Sequence, residues 1–327
     1  MQMDDDIIDQ GVVPTYDNST RVTNGSVIET TVDKITGVTS RKVKDSLAVE
    51  EPLEIQLGYG PADSRQTKSI SVTMRTPGND FELAAGFLMT EGVVHDANDI
   101  EQIAYTPHQS KAPGQNTEMG TVVAASSTHN AVRVELAAGV PVSIANLQRN
   151  FYTTSSCGIC GKASLLALQT VCPPRVENGF RIDADVLYRL PGYLREAQGV
   201  FDRTGGLHGA GLFDSSGRLL VVREDVGRHN AVDKLIGSEF LADRTPLRNR
   251  LLLLSGRASF ELLQKALMGG VPMVASVGAP SSLAVQVARE FDIILIGFLR
   301  DEHFNVYHGK EHIRLQPRQE LRNETAD

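Results

Sequence analysis

The strongest chemical signal in the sequence is a pair of cysteines three positions apart, Cys157 and Cys160. The residues around them are glycines, serines and threonines, which argue against burial of either thiol in an apolar core. Lys162 and the N-terminus of a helix predicted over residues 162–169 favour the thiolate form of a cysteine. We therefore expect these two thiols to react rather than to serve as incidental core residues.

Zinc binding is one interpretation of the cysteine pair. A structural zinc site needs four ligands, and a catalytic site needs three ligands plus water. The sequence has no second close pair of cysteines, and only Cys172 or His208 could complete the set. Zinc deaminases combine an H-x-E segment with P-C-x-x-C, but no glutamate follows His208 in that pattern, and Ser156 replaces the proline. We expect no bound metal.

Two further interpretations, thiol–disulfide redox chemistry and sulfur relay, remain open on spacing alone. A thioredoxin-like pair usually follows an apolar strand in a compact βαβ unit, whereas residues 150–156 are mostly polar. A relay cysteine carries sulfur as a persulfide between two partners, so it needs an accessible thiolate on a segment that can move. Gly158 and Gly161 favour such movement.

The elements that must position a ligand lie in the last third of the chain, where short apolar strands alternate with amphipathic helices. Strands are predicted at residues 219–222, 251–254, 271–277, 293–298 and 303–307. The helices between them each place their apolar residues on one face. This alternation predicts a mostly parallel sheet that is covered on both faces.

Four turns follow these strands, and the ligands of such sheets bind beyond the carboxyl ends of the strands. The turns span residues 223–230, 255–257, 278–282 and 298–303. Three of them open helices, whose N-termini attract phosphate, although each turn alone is also an ordinary capping sequence. Four such turns, three of them with arginine, predict a crevice for an elongated anion such as a nucleotide or pyrophosphate.

The N-terminal part of the chain has a different pattern. By composition, the chain is predicted to divide into an acidic, flexible extension (1–44), a mainly β N-terminal subdomain (45–150), the cysteine loop with the α/β domain (151–315) and a tail (316–327). Within the extension one strand is predicted near residues 26–32. Within the subdomain, strand-like alternation at 70–74 and 131–136 flanks a helix at 80–89.

Charge and composition exclude several classes of function. The 327 residues carry a formal net charge of −8, with 41% hydrophobic and 22% charged residues, which is a globular composition without the basic character of nucleic-acid binders. No apolar run approaches the ~20 residues of a membrane span, and the acidic N-terminus lacks an export signal. The 3 cysteines fit a reducing compartment. We expect a cytoplasmic protein without nucleic-acid or membrane partners.

Six short segments, in order within residues 47–314, resemble the FdhD family of formate dehydrogenase accessory sulfurtransferases. They are CGICG at 157–161, GGLHGA at 205–210, EDVGRHNAVDK at 224–234, SGRASFEL at 255–262, LAV at 283–285 and GFLR at 297–300. Six segments in the right order are far more specific than a CxxC spacing.

The resemblance implies a cytidine-deaminase-like, three-layer α/β/α domain without zinc, and a homodimer. It implies a sulfurtransferase that takes sulfur from a cysteine desulfurase as a persulfide. The sulfur passes to the bis-guanine-dinucleotide form of the molybdenum cofactor before that cofactor enters formate dehydrogenase. By the same resemblance, Cys157 carries the persulfide and Cys160 is its partner. The residues that align with the family's cofactor contacts are Phe298, Leu299, Arg300, Asp301, Glu302 and His303.

Two rival functions stay open, a zinc-dependent hydrolase or deaminase relic and a non-catalytic chaperone that shelters the cofactor. His208 and His229 are interpreted as structural hydrogen-bonding residues before proton shuttles. Asp225 and Arg228 fit a local ion pair as well as a ligand site, so none of these four residues is assigned to the site.

Overall fold

The structure is a computed structural model that describes residues 25–106, 129–142 and 179–315. It begins with an antiparallel hairpin of β1 (Val27–Thr36) and β2 (Thr39–Ala48). The two strands turn at Gly37, whose φ of 60° is readily adopted by glycine. Residues 27–44 of the predicted extension therefore lie in regular β structure, longer than the single strand expected near residues 26–32.

A four-stranded sheet follows. Its elements are β3 (Glu51–Tyr59), β4 (Gln66–Arg75), the helix α1 (Asp80–Thr90), a 3-10 turn (Ala97–Asp99), β5 (Ile100–Tyr105) and β6 (Ala131–Leu136). The strand order is β4-β3-β6-β5. Leu53, Ile55 and Leu57 alternate along β3 and are fully buried, as expected for a strand with one face on the core. The predicted strands at 70–74 and 131–136 and the helix at 80–89 are confirmed.

The last third of the chain builds a six-stranded sheet with helices. Its strands are β8 (His208–Phe213), β9 (Leu219–Asp225), β10 (Leu251–Leu254), β11 (Met273–Ser276), β12 (Ile294–Arg300) and β13 (His303–His308). Its helices are α2 (Ala184–Ala197), α3 (Gly199–Thr204), α4 (Arg228–Leu241), α5 (Phe260–Met268) and α6 (Ser282–Glu290). A short parallel pair, β7 (Ile182–Asp183) with β14 (Ile313–Arg314), and a 3-10 turn (Lys310–His312) complete the described elements.

The predicted strands of this sheet are confirmed, but the expectation of a mostly parallel sheet is wrong. The strand order is β13-β12-β11-β10-β8-β9, and only the β10–β11 and β11–β12 pairings are parallel. The unpredicted strand β8 lies between β9 and β10 and is antiparallel to both. Because β9 and β10 are both antiparallel to β8, they point in the same direction, and β11 and β12 share this direction.

Helices cover both faces of this sheet, so the α/β class is confirmed. Leu187, Leu190 and Leu194 of α2 pack on one face. Helices α4, α5 and α6 pack on the other face, together with α1 and the four-stranded sheet. The cytidine-deaminase-like arrangement stays a prediction. No helix within the described ranges is long and apolar enough to span a bilayer.

The helices α1 and α4 cross in very close contact at two glycines. A methyl group on Gly86 would overlap the carbonyl oxygen of Asp233, and one on Gly237 would overlap the carbonyl oxygen of Glu82. Only glycine lets two helix backbones approach this closely. The N-terminal sheet and the six-stranded sheet are thus joined through a contact between helix backbones.

Candidate functional site

The carboxyl ends of β9 to β12 lie at one edge of the six-stranded sheet, which we call the carboxyl edge. Backbone hydrogen bonds join its turns side by side. Ser255 N donates to Gly209 O at 3.0 Å, Gly278 N to Gly256 O at 3.0 Å, and Phe298 N to Gly278 O at 3.1 Å. The predicted convergence of the turns is therefore confirmed. The sequence alone did not reveal that the start of β8 also lies at this edge.

Asp225, the last residue of β9, fixes the turn that leads into α4. Its carboxylate is fully buried and accepts hydrogen bonds from Gly227 N at 2.8 Å, from the Asn230 side chain at 3.0 Å and from Thr76 N at 3.1 Å. Thr76 follows strand β4, so this carboxylate ties the turn to the N-terminal sheet. A carboxylate with this many donors holds its surroundings rigidly.

The positive charge that pairs with Asp225 is Lys234 of helix α4, and not Arg228. Lys234 Nζ lies 2.7 Å from the Asp225 carboxylate and also donates to Thr76 O at 2.8 Å. The local ion pair considered between Asp225 and Arg228 is therefore wrong. No salt bridge involves Arg228 among the described residues.

Three titratable side chains, His208, His229 and Glu261, belong to elements that begin at the carboxyl edge. His229 Nε2 lies 3.9 Å from a carboxylate oxygen of Glu261, which is longer than a hydrogen bond. The His229 ring lowers the pKa of the Glu261 carboxyl to about 2. His208, the first residue of β8, lies against the backbone of Gly256. Burial and the charges of Arg228 and His229 lower the pKa of His208.

Two of the helix caps at this edge differ in a way that bears on ligand binding. Ser281 is an ordinary cap, because its hydroxyl accepts a hydrogen bond from Ala284 N at 3.2 Å. Ser259 occupies the same position before α5 but makes no such bond. Its buried Oγ and the buried His229 Nε2 both act on the Glu261 carboxyl and help to lower its pKa, but neither makes a hydrogen bond of normal geometry. Buried polar atoms without such a bond need a reason, and a bound ligand is one.

The turn between β12 and β13 has a strained backbone. Arg300 pairs with His303 across it, and the two residues between them, Asp301 and Glu302, have φ values of 46° and 57°. A two-residue hairpin turn with both φ values positive normally contains glycine or asparagine. Phe298 also has a positive φ, of 56°, where the β12–β13 register shifts. Such strain clusters at functional sites.

The six residues predicted to contact the cofactor are contiguous but unequal in exposure. Leu299 is fully buried in the core, so it can offer a ligand only its backbone. Phe298 is half-buried, and the side chains of Arg300, Asp301, Glu302 and His303 are exposed.

A cavity of about 340 Å³ adjoins this strained turn. It is lined by Tyr188, Glu302, His303, Phe304, Val306, Lys310, Ile313 and Leu315. The rings of Tyr188 and Phe304 lie 5.5 Å apart and are tilted by 43°. Tyr188 was not predicted as a site residue, because the helix α2 that carries it was not predicted.

A larger cavity of about 560 Å³ lies between α2 and the turn before β9. It includes Arg218 and Leu219 at the amino end of β9 and is therefore at the opposite edge of the sheet. Size alone would favour it as a ligand site. The strained backbone and the buried polar atoms without a normal hydrogen bond favour the carboxyl edge, which we take as the candidate site.

Cys157 and Cys160 lie outside the described residues, as does Cys172, and their roles stay predictions. Within residues 25–106, 129–142 and 179–315, no group of three or more His, Cys, Asp or Glu side chains is arranged to hold a metal ion.

The fold is that of an α/β protein whose candidate ligand site lies at the ends of four strands that share a direction. Comparison with known protein families gives its class: residues 48–314 match the FdhD/NarQ family. The chain belongs to this family.

Three relatives show how far the similarity extends. A protein of Streptomyces avermitilis is 49% identical over 274 residues, which is 83% of this chain and 90% of the relative. A protein of Mycobacterium tuberculosis is 51% identical over 266 residues, 80% of this chain and 90% of the relative. A protein of Sulfurisphaera tokodaii is 39% identical over 282 residues, which is 86% of this chain and 97% of the relative. Each of the three is named sulfur carrier protein FdhD.

A solved structure shares the fold. It comes from Desulfotalea psychrophila and is described as a formate dehydrogenase accessory protein. It superposes with a TM-score of 0.64, covers 88% of this chain and 99% of its own, and is 24% identical in sequence.

Proposed function

We propose that this protein is a sulfur carrier required for formate dehydrogenase activity. Cys157 accepts sulfur from a cysteine desulfurase as a persulfide, with Cys160 as its partner. The sulfur then passes to the molybdenum cofactor in its bis-guanine-dinucleotide form, before that substrate is inserted into formate dehydrogenase. The protein acts as a homodimer. The observation that carries this proposal is the family match over residues 48–314, which spans the cysteine pair.

The carboxyl edge is the proposed binding site for the cofactor, because its residues fit the dinucleotide end of this substrate. Helices α4, α5 and α6 begin at this edge, and helix N-termini attract phosphate. Arg257 and Arg300 are exposed there and supply planar donors suited to a diphosphate. The buried Ser259 Oγ adds a hydroxyl donor. Phosphate chemistry therefore has several partners at one edge.

The strained turn and its cavity supply what a guanine base needs. Guanine presents N–H donors on one edge, and a carboxylate accepts them. Acidic side chains are unfavourable beside a pyrophosphate, but the pair Asp301–Glu302 suits that edge of the guanine base. The aromatic rings of Tyr188 and Phe304 offer surfaces on which a base can stack. The base and the diphosphate thus have distinct partners in the proposal.

The persulfide is tested by intact-mass analysis after incubation with a cysteine desulfurase and cysteine. Wild-type protein is expected to gain sulfur mass that a thiol reductant removes. Cys157→Ala should gain none and should abolish formate dehydrogenase activity in cells, whereas Cys172→Ala, the matched control, should keep both. Full activity with Cys157→Ala would contradict the relay and favour a chaperone that only shelters the cofactor. About one zinc per chain, lost together with folding on chelation, would favour a metal site instead.

Ligand binding is tested by calorimetry with GDP, GMP and ADP at one salt concentration. GDP should bind more tightly than GMP, because its second phosphate gains contacts, and more tightly than ADP, because the guanine edge is recognised. Arg300→Ala should weaken GDP binding by about tenfold, the equivalent of one charge-assisted hydrogen bond. Arg218→Ala, an exposed arginine at the opposite edge, is the control. Equal, negligible heats for all three nucleotides would place the cofactor site elsewhere.

A further inference from the structure

The hairpin of β1 and β2 exposes one apolar face. In an antiparallel pair, directly opposite residues lie on the same face, and so do alternate residues along each strand. By this register one face, which we call the open face, consists of Ile28, Thr30, Val32, Lys34 and Thr36 of β1 and Thr39, Arg41, Val43, Asp45 and Leu47 of β2. Ile28 and Leu47 lie opposite each other and are 49% and 44% exposed. A two-stranded hairpin in water is only marginally stable unless its apolar face is covered.

The opposite face of the hairpin rests on the body of the protein. Ala48 belongs to that face, and a methyl group added at Gly206 would lie 3.5 Å from the Ala48 Cβ. The open face is therefore turned away from this contact. Each strand has 10 residues, so the hairpin is about 33 Å long at ~3.3 Å per residue. A surface of this length is accessible to a second molecule.

The hairpin is anchored beside the carboxyl edge. The Ser26 hydroxyl, just before β1, donates a hydrogen bond to Pro77 O at 2.8 Å. The neighbouring Thr76 N donates to the Asp225 carboxylate at the carboxyl edge, at 3.1 Å. Gly206, against which β2 packs, comes shortly before β8, which begins at the same edge. A molecule bound to the open face is thus held next to the candidate ligand site.

The charges of the open face are not balanced within the hairpin. Lys34 and Arg41 stand directly opposite each other, and like charges in this position destabilise a strand pair. No salt bridge between described residues involves either of them, and none involves Asp45, the acid of the same face. On the opposite face, by contrast, Lys44 lies 3.4 Å from the Glu29 carboxylate. The open face therefore fits a partner that supplies a carboxylate.

A symmetric contact between two copies of the hairpin does not supply that carboxylate. In a twofold contact the same surface meets itself, so Lys34 and Arg41 would meet the same two cations of the other copy. Like charges across an interface oppose binding. The unpaired cations thus favour a different protein as the molecule that covers this face.

We propose that the open face binds formate dehydrogenase in its cofactor-free form, through a surface where apolar residues lie beside a carboxylate. This inference rests on the proposed function, in which the dehydrogenase receives the ligand held at the carboxyl edge. The apolar residues cover Ile28 and Leu47. The carboxylate lies between Lys34 and Arg41, and the planar guanidinium of Arg41 can donate two hydrogen bonds to it. The hairpin then brings the recipient to the edge where the ligand is bound.

The test is biolayer interferometry with the full-length protein immobilised and formate dehydrogenase, purified without its cofactor, in solution. The double variant Lys34→Gln with Arg41→Gln should weaken binding about tenfold at low salt. The difference from the wild type should disappear near 1 M salt, where charges are screened within about 3 Å. Neutralising two opposed cations removes a repulsion inside the hairpin, so the loss of binding does not come from unfolding of the hairpin.

A second double variant tests the apolar part of the open face. Ile28→Thr with Leu47→Thr keeps residues that favour strands and should weaken binding about tenfold at low and at high salt, because less apolar surface is buried. The matched control is Arg189→Gln with Arg218→Gln, two exposed arginines that line the cavity at the opposite edge of the sheet. It removes the same charge and should bind as the wild type does.

The outcomes separate this inference from the proposed function. Wild-type protein that does not bind the dehydrogenase, or wild-type affinity in both hairpin variants, would overturn the inference and leave sulfur loading untouched. Equal weakening in the arginine control would overturn it too, since the effect would then be one of net charge. A hairpin variant that dissociates into monomers in sedimentation, where the wild type is a dimer, would mean that a second copy occupies the face. Absence of sulfur loading with hairpin-dependent binding intact would contradict only the proposed function.

Discussion

Two regions of this protein treat buried polar groups in opposite ways. At the interface between α1 and α4, Lys265 Nζ lies 3.0 Å from the Asp233 carboxylate and 3.2 Å from the Glu91 carboxylate. Arg223 donates two hydrogen bonds to the Glu82 carboxylate, of 2.5 and 2.9 Å. At the carboxyl edge, buried polar atoms of His229 and Ser259 make no hydrogen bond of normal geometry.

The backbone shows the same difference. The helices at the interface approach through two glycines that remove all steric conflict, whereas the carboxyl edge holds Phe298, Asp301 and Glu302 at positive φ. One region pairs its buried charges and contributes stability. The other breaks several rules within a few residues, and such departures in a native protein mark function. The comparison teaches where to look for a ligand without knowing its identity.

The largest expected effect is at the fully paired interface. Lys265→Met leaves the Asp233 carboxylate buried without its cation and should lower the free energy of unfolding by about 3–5 kcal/mol at neutral pH. Burial raises the pKa of Asp233. A carboxyl group whose pKa is higher in the folded than in the unfolded protein stabilises the fold at pH values below its unfolded-state pKa, and this stabilisation is lost as the pH rises. The loss of stability caused by Lys265→Met should therefore become smaller as the pH falls into the range where an exposed aspartate also binds a proton.

Urea unfolding at several pH values measures this deficit. The double variant Asp233→Leu with Lys265→Met removes both charges and should recover much of the loss. A Lys265→Met protein as stable as the wild type at neutral pH would contradict the view that this interface depends on pairing of its buried charges.

A smaller loss is expected where the helices touch. Gly237→Ala places a methyl group against the Glu82 carbonyl and should destabilise the fold by about 2–3 kcal/mol through overpacking. Gly192→Ala in α2, where the added methyl meets nothing within 4 Å, is the control. It should stabilise the protein by about 0.5–1 kcal/mol because alanine favours helix over glycine. Thermal unfolding of both variants is the measurement, and equal melting temperatures would mean that the helices can separate without cost.

The smallest effect has the opposite sign and lies at the carboxyl edge. Glu302→Gly should raise the free energy of unfolding by about 1 kcal/mol, because glycine adopts the left-handed φ without strain. The same change should weaken GDP binding, since the carboxylate is lost. Asp301→Gly should gain less stability, because aspartate tolerates this conformation better than glutamate. Paired unfolding and calorimetry on each variant would show whether strain and binding are linked, and a Glu302→Gly protein that binds GDP normally would separate them.

Much of the architecture could be predicted from the sequence, and the failures have physical causes. The run 251–254 and the strand at 131–136 were predicted with the observed bounds, because continuous or alternating apolar residues are strong local signals. Strand β8 was missed because the sequence HGAGLF contains two glycines, which disfavour strands except where backbones pack closely. Helix α2 was missed although its leucines repeat at helical spacing, since Pro191 and Gly192 interrupt it.

Some features of the candidate site could also be predicted from the sequence, and others could not. The convergence of the turns followed from the shared direction of the strands, and the segment at residues 298–303 from the resemblance. The Ser259 hydroxyl without a normal hydrogen bond could not be foreseen, since Ser281 has the same local signal and is an ordinary cap. Whether a capping serine bonds its own helix depends on its rotamer and neighbours, which a linear sequence does not specify.

The sequence by itself determined the family, the positions of most strands and helices, and the two cysteines to which the proposed function assigns the sulfur. These properties depend on residue identity and on periodicity over short stretches. Only the tertiary structure decided that β8 enters the sheet between β9 and β10, and that Asp225 pairs with Lys234 rather than with Arg228. It also decided that His229 and Glu261 lie 3.9 Å apart at the carboxyl edge. Such pairings join residues far apart along the chain, and packing of the whole molecule selects them from many local alternatives.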